Sequence, residues 1–161
     1  MRVVLGGDHR GYRLKDLLIA HLTRAGHTAI DVGTNSPESV DYPDISQAVC
    51  EAVLDGQADR GVIVCGSGVG ACVAANKIAG IRAAITHDTY SAHQGVEHDD
   101  MNVICLGSHV IGEDVAIEVV EAFIHAEFHT EERYVRRLNK VRALESFESL
   151  RMSGTDKGAT T

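Results

Sequence analysis

Five short aliphatic runs, at 2–6, 29–33, 61–65, 81–86 and 102–107, constrain this chain more than any other feature of it. Most are apolar almost without interruption. A strand with one face in water alternates apolar and polar residues, whereas a strand covered on both faces does not. Between the runs lie stretches with helical spacing, at about 12–25, 43–55, 70–79, 89–98 and 113–126. Five strand-then-helix units in series predict an α/β fold, a five-stranded parallel sheet with helices on both faces. Its crossovers are expected to be right-handed.

A further helical stretch, about 131–150, has no strand after it. Its apolar residues Tyr134, Leu138, Val141 and Leu144 recur at helical spacing, so it has to dock, either on its own domain or on a second subunit. Residues 1–150 are read as one domain, and 151–161, small and polar for the most part, as a disordered tail.

Composition narrows the possible partners. Aromatics make up 4% of the 161 residues and Trp is absent, so the core must be aliphatic. A formal net charge of -8 argues against a nucleic-acid partner. It does not argue against a small anion, because a few local arginines outweigh the global sign. Cys50, Cys65, Cys72 and Cys105 form no C-x-x-C pair and sit in apolar stretches, as reduced thiols do. Residues 1–7 are too short and too soon glycine-rich for a signal peptide, and no apolar run approaches the ~20 residues of a membrane span. The expectation is a cytoplasmic protein with a small-molecule partner and no membrane.

Ligands of open parallel sheets bind beyond the carboxyl ends of the strands. The most informative such segment is Cys65-Gly66-Ser67-Gly68-Val69-Gly70-Ala71, where a buried run meets a glycine turn and then a helix. Gly66, Gly68 and Gly70 let the backbone turn tightly and aim N–H groups into one concavity. Such a cradle, with the helix dipole behind it, suits a phosphate or a developing oxyanion. Cys65 stands at its lip, where the same field favours thiolate; the plain alternative is a small buried hydrophobe. A rival reading takes Gly66, Gly68 and Ala71 as a dinucleotide fingerprint with Asp88 as its acidic residue. It places the motif on the third strand and leaves little chain for a substrate domain.

Other segments fall beyond the strand ends. Asp8-His9 follows the first run, as a ligand contact or as an Asx-type turn. Asp41 is placed to cap the helix beginning near Pro43, and Tyr42 to face a ligand or to pack. Glu97-His98-Asp99-Asp100, with His87 and His93 near, raises a metal site, but the spacing fits no zinc pattern, so none is expected. His98 is read as an acid/base or ligand contact, with a solvated helix end as the alternative. Arg133 and Arg137, four apart, share one helix face, as a phosphate clamp or a solvated basic surface.

Taken together, these segments resemble the type B ribose-5-phosphate isomerase family, which includes galactose- and allose-6-phosphate isomerases. The stretches that carry the likeness are Gly7-Asp8-His9-Arg10-Gly11-Tyr12, Asp31-Val32-Gly33-Thr34, Asp41-Tyr42-Pro43, Cys65 through Gly70, Ala74-Ala75-Asn76-Lys77, Gly80-Ile81-Arg82-Ala83, Asn102-Val103 and Arg133 with Arg137. It covers about 1–145. The resemblance implies a Rossmann-like three-layer α/β/α sandwich, a homodimer (with a tetramer left open) whose active sites are shared between subunits, and no metal or cofactor. It implies aldose–ketose isomerisation of ribose 5-phosphate, or of a galactose, allose or tetrose phosphate. Cys65 would be the base and Ser67 its assistant. The N–H groups of Gly66, Ser67, Gly68, Val69 and Gly70 would hold the enediolate. Asp8 would meet sugar hydroxyls and His9 the phosphate. Tyr42 and His98 would open the ring, and Arg133 and Arg137 would bind phosphate. A branch of the family uses a Glu base within the glycine loop; the matching residue here is Ala71. Two positions depart from the pattern, both in the substrate-binding set: Asp99 stands where the family usually has Asn, and His109 where it has a phosphate-binding Arg. A nucleotide-binding module and a non-catalytic sugar-phosphate sensor are the readings from other classes.

Overall fold

The structure, a computed structural model, describes residues 1–154, with side chains through Glu145. The chain forms two compact units, Met1–Phe128 and a second beginning at His129.

The first unit alternates strand and helix throughout: β1 (Arg2–Gly7), α1 (Tyr12–Arg24), β2 (Thr28–Asp31), α2 (Tyr42–Leu54), β3 (Arg60–Cys65), α3 (Val69–Ala75), β4 (Ala83–Ile85), α4 (Thr89–Asp99), β5 (Val103–Gly107) and α5 (Glu113–His125). The five strands form one sheet in the order β2-β1-β3-β5-β4, and every pair is parallel. β1, β3 and β5 are the continuous apolar runs, and they are the interior strands. β2 and β4 lie at the edges and are shorter than their runs in the sequence, four residues and three. A partner on one side only gives the ladder less to hold, and short edges also limit pairing with other chains.

Alternate residues of the interior strands feed two cores. Val3, Leu5, Val62, Val64, Ile104 and Leu106 pack with Leu18 and Leu22 of α1, Val96 of α4 and Val119 and Phe123 of α5. Val4, Ile63, Cys65, Val103 and Cys105 pack with Val49 and Cys50 of α2 and Ala71 and Ala75 of α3. These are the three layers expected. Which face a helix takes follows from the direction of its crossover. The connections β1-to-β2 and β4-to-β5 run one way across the sheet and put α1 and α4 on one face. The connections β2-to-β3 and β3-to-β4 run the other way and put α2 and α3 on the opposite face. A uniform crossover hand requires this arrangement.

The second unit carries α6 (Glu132–Gly154). Residues 151–154 of the expected tail are therefore helical; Arg151 and Met152 are good helix formers and no proline lies within α6. The remainder, 155–161, lies outside the described residues.

Candidate active site

The helices leaving β1 and β3 go to opposite faces, α1 to one and α3 to the other. Neighbouring strands whose helices part in this way leave a crevice at their carboxyl ends. Here the crevice is a cleft of about 340 Å³ lined by Asp8, Arg10, Tyr42, Cys65, Gly66, Ser67, Gly70, His109 and Val110.

Cys65 is the last residue of β3 and is 6% exposed, a small opening but one onto this cleft. The Gly68 N–H donates to its Sγ at 3.0 Å. Gly68 has φ +83°, the left-handed region that glycine adopts without cost, and this reverses the chain so that the N–H faces back toward the sulfur. The Val69 N–H donates to Ser67 Oγ at 3.3 Å. Two bonds from the exit of β5 hold the turn from the other side: Ser108 N–H to the Cys65 carbonyl at 2.8 Å and His109 N–H to the Gly66 carbonyl at 3.0 Å.

The loop after β1 lies flat against the end of β3. The Asp8 N–H donates to the Val64 carbonyl at 3.1 Å, and a β-carbon on Gly11 would stand 2.0 Å from the Val64 oxygen. Asp8 is 6% exposed and does form the Asx-type turn, its Oδ1 accepting from the N–H groups of Arg10 at 2.8 Å and Gly11 at 2.9 Å. It also lines the cleft, so the turn and ligand readings hold together. Tyr42 is the first residue of α2 rather than the one before it, and its ring lies against Gly70. Asp41 occupies the N-cap position, but its side chain makes no capping bond. Capping needs the carboxylate turned back over the first turn, and here it is not.

Not every expected residue of the first unit reaches the cleft. His9 is half-buried beside it, with Nδ1 accepting from the Val40 N–H at 3.4 Å. His98 and Asp99 end α4, which starts after β4 at the carboxyl edge and finishes ahead of β5 at the amino edge. Its 11 residues span roughly 16 Å at 1.5 Å per residue, so His98 lies at the far side of the sheet from Cys65 of the same chain. There His98 Nδ1 meets Gln94 Nε2 at 2.6 Å. Arg133 and Arg137 belong to the second unit and are exposed; the Arg133 guanidinium lies over the Tyr134 ring and donates to its hydroxyl at 2.6 Å. Conversely, Arg10 and Val110 line the cleft without having been singled out as site residues. Arg10 stood in a quoted motif; only its charge directly after a strand end pointed to it.

The dinucleotide reading loses its acidic residue. Asp88 caps α4, accepting the Ser91 N–H at 2.7 Å, and the hydrogen bonds from Ser91 hold its carboxyl below the usual range. It also follows β4, which is separated from β3 and its glycine turn by β5. Among the described residues no three His, Cys, Asp or Glu side chains are grouped to hold a metal ion.

All four cysteines are free, and they differ in environment. Burial pushes the Cys50 thiol up to about 11. The Cys105 thiol, hydrogen-bonded to Cys72, brings Cys72 down to about 7, with help from the Ile85 backbone and Asn76, while Cys105 itself is raised.

A parallel α/β sheet with a thiol and a glycine-turn cradle at its switch point defines a class of small-molecule enzyme. Residues 3–141 match the Ribose/Galactose Isomerase family. The chain is 40% identical over 144 residues to the ribose-5-phosphate isomerase B of Escherichia coli (strain K12), covering 89% of this chain and 96% of that one. It is 38% identical over 129 residues to the D-erythrulose-4-phosphate isomerase of Pectobacterium atrosepticum, covering 80% and 85%. The structure of Clostridium thermocellum ribose-5-phosphate isomerase B superposes with a TM-score of 0.89 at 42% identity, over 92% of this chain and 99% of that one. That of the Mycoplasma genitalium enzyme with bound ribulose-5-phosphate gives 0.84 at 33% identity, over 90% and 96%. The chain belongs to the Ribose/Galactose Isomerase family and is an aldose–ketose isomerase.

Proposed function

We propose that this chain interconverts ribose 5-phosphate and ribulose 5-phosphate through an enediolate, with Cys65 as the base. The observation that carries the reading is the Gly68 N–H aimed at a Cys65 sulfur that opens onto the cleft shared with Asp8, Tyr42 and Ser67. An N–H directed at sulfur is a better partner for a thiolate than for a thiol. In the open-chain aldose, the Cys65 thiolate takes the proton from C2 as the C1 carbonyl becomes an enediolate oxygen. N–H groups of the 66–70 turn other than those of Gly68 and Val69, which face Cys65 Sγ and Ser67 Oγ, meet the oxygens on which charge develops. The hydroxyl proton on O2 passes to O1, and the thiol returns its proton to C1, leaving C2 as the ketose carbonyl. Proton abstraction beside a carbonyl needs a poised base and charge stabilisation at the neighbouring oxygen. One turn of chain supplies both, and the scheme calls for no metal. Asp8 binds sugar hydroxyls, Ser67 assists Cys65, and Tyr42 takes part in ring opening. Arg133 and Arg137 keep the phosphate-binding role.

His98 and Asp99 enter this scheme from a second copy, because the run of α4 carries them away from their own cleft. A homodimer is the assembly that follows. Val69 and Val73 support it: four apart on α3, they are 53% and 57% exposed. No helix of the described residues is long and apolar enough to cross a membrane, and the proposed setting is the cytoplasm.

A four-carbon substrate is the second reading, favoured by the likeness to D-erythrulose-4-phosphate isomerases at 38% and 34% identity. Galactose and allose 6-phosphates stand behind it. The test is isomerisation by the purified chain across a panel of tetrose, pentose and hexose phosphates. Highest kcat/KM on ribose 5-phosphate supports the proposal. Turnover confined to another member reassigns the substrate, and none on any member rejects the reaction.

A further inference from the structure

The Cys65 cleft does not end at His109. It adjoins a second hollow of about 290 Å³, lined by Arg10, Arg13, Ser108, His109 and the start of α5. Only Arg10 and His109 line both. The Arg10 backbone is fixed where the two meet: its N–H is held by Asp8 at 2.8 Å, and its carbonyl accepts from Ser108 Oγ at 2.9 Å. The side chain then crosses Gly66, where a β-carbon would stand 3.1 Å from Arg10 Cδ and 3.9 Å from Nη1. Glycine at 66 is thus what lets the guanidinium lie along the turn. Among the described residues the Arg10 side chain makes no hydrogen bond and no ion pair. By contrast, Arg2, Arg60 and Arg82 in the same unit each have carboxylate or carbonyl partners. An arginine with five donors, anchored through its backbone and left unpaired in a cleft, is equipped for an anion. The chain is otherwise acidic, at -8, so a dianionic substrate needs such a local positive charge.

We propose that Arg10 is the anchor for the substrate phosphate within the first unit, with His109 beside it, so that the phosphate sits toward the second hollow while the reacting carbons face Cys65. The proposal rests on the isomerase reading for its substrate and adds a residue to it. The two positively chargeable side chains, 10 and 109, share one task across the mouth between the hollows.

The test uses the full-length chain and the variants Arg10→Met, Arg10→Lys and Arg10→Met/His109→Arg. Inorganic phosphate binding is read by calorimetry, independently of turnover, alongside KM and kcat for ribose 5-phosphate. Arg10→Met is expected to weaken phosphate binding and raise KM together by about tenfold to hundredfold, the worth of one charge-assisted pair. Its kcat should fall by less than about threefold, because the phosphate is bound alike in the ground state and at the transition state. Lysine should recover part of the loss, and arginine at 109 most of it. Unchanged phosphate binding in Arg10→Met overturns the proposal whatever happens to KM, as does a double variant no better than the single one. An inactive parent chain that still binds phosphate through Arg10 rejects the reaction and leaves the anchor standing.

Discussion

The ring of Tyr42 lies across Gly70, so close that a β-carbon there would stand 2.8 Å from the ring's Cζ. Gly70 belongs to the turn that carries the Cys65 cradle, and Tyr42 opens α2, so the contact joins the two walls of the cleft. Gly70→Ala must push the ring outward. Tyr42 is 41% exposed and free to move, so the stability cost is held to about 1 kcal/mol, the low end of overpacking. The loss should appear in kcat/KM, about tenfold for a displaced positioning group. Thermal unfolding and steady-state kinetics on one preparation separate the two. A variant with undiminished kcat/KM would show that the ring takes no part.

Replacing Cys65 by Ala removes the proposed base and the acceptor of the Gly68 N–H, which water in the open cleft can replace, and the cavity left by one sulfur is small. Turnover should fall by a factor on the order of 10³ or more, in the range assigned to a positioned acid or base. Phosphate binding and the melting temperature should barely move. Near-normal turnover in this variant removes the thiol from the mechanism.

If His98 serves a neighbouring copy, two inactive variants should rescue one another. Cys65→Ala and His98→Ala chains, co-refolded, form mixed dimers in which one of the two sites has both groups. Random pairing gives about a quarter of all sites intact, and activity should recover to that level. Failure to recover any activity would confine each site to a single chain.

Inhibition by thiol reagents needs care, because the hydrogen bond from Cys105 holds the Cys72 thiol below its ordinary range. With its thiol near 7, Cys72 is substantially ionised at neutral pH, whereas Cys50, near 11, is not. Iodoacetamide should modify Cys72 before Cys50, with a rate that rises through pH 7 and levels off above it. Peptide mass spectrometry over a pH series checks the order. The modification should vanish in Cys72→Ser. Labelling of Cys50 first would contradict the environments described.

Lys15 is fully buried, with its ammonium bonded to Asp31 Oδ2 at 2.6 Å, to Asn35 Oδ1 at 2.8 Å and to Asp16 at 2.9 Å. It fastens the loop after β2, whose Val40 N–H reaches His9 and whose end is Tyr42. Lys15→Met keeps the stem and removes the clamp. The expected loss is about 2 kcal/mol by denaturant titration, less than for a sealed pair because Asp31 is partly exposed. A midpoint identical to that of the parent would mean the ammonium contributes nothing net.

The strands covered on both faces were legible because burial leaves an unbroken apolar run, and β1, β3 and β5 begin and end within a residue or two of their runs. The edge strands were overread, 29–33 against Thr28–Asp31 and 81–86 against Ala83–Ile85, because apolar residues at an edge continue past the last ladder bond. The placement of β5 between β3 and β4 leaves no mark on local pattern; it is a property of pairing. At the site, the glycine turn and Asp8 were readable since both are local. His98 and Asp99 illustrate the limit. Their motif is plain, but which end of the sheet they reach depends on the direction in which the helix crosses it. Arg10 leaves no mark in the sequence for a different reason: a charged loop residue looks solvated until the fold shows what lies under it.

On its two flanks the turn that holds the sulfur is gripped through main-chain bonds, from Ser108 and His109 on one side and from Asp8 at the Val64 carbonyl on the other. Amide bonds are the same whatever side chains they carry. Substitutions at 10 and 109 can therefore alter the substrate end of the cleft without disturbing that turn. A scaffold divided in this way is open to descendants that handle sugars of different lengths with one unaltered chemistry.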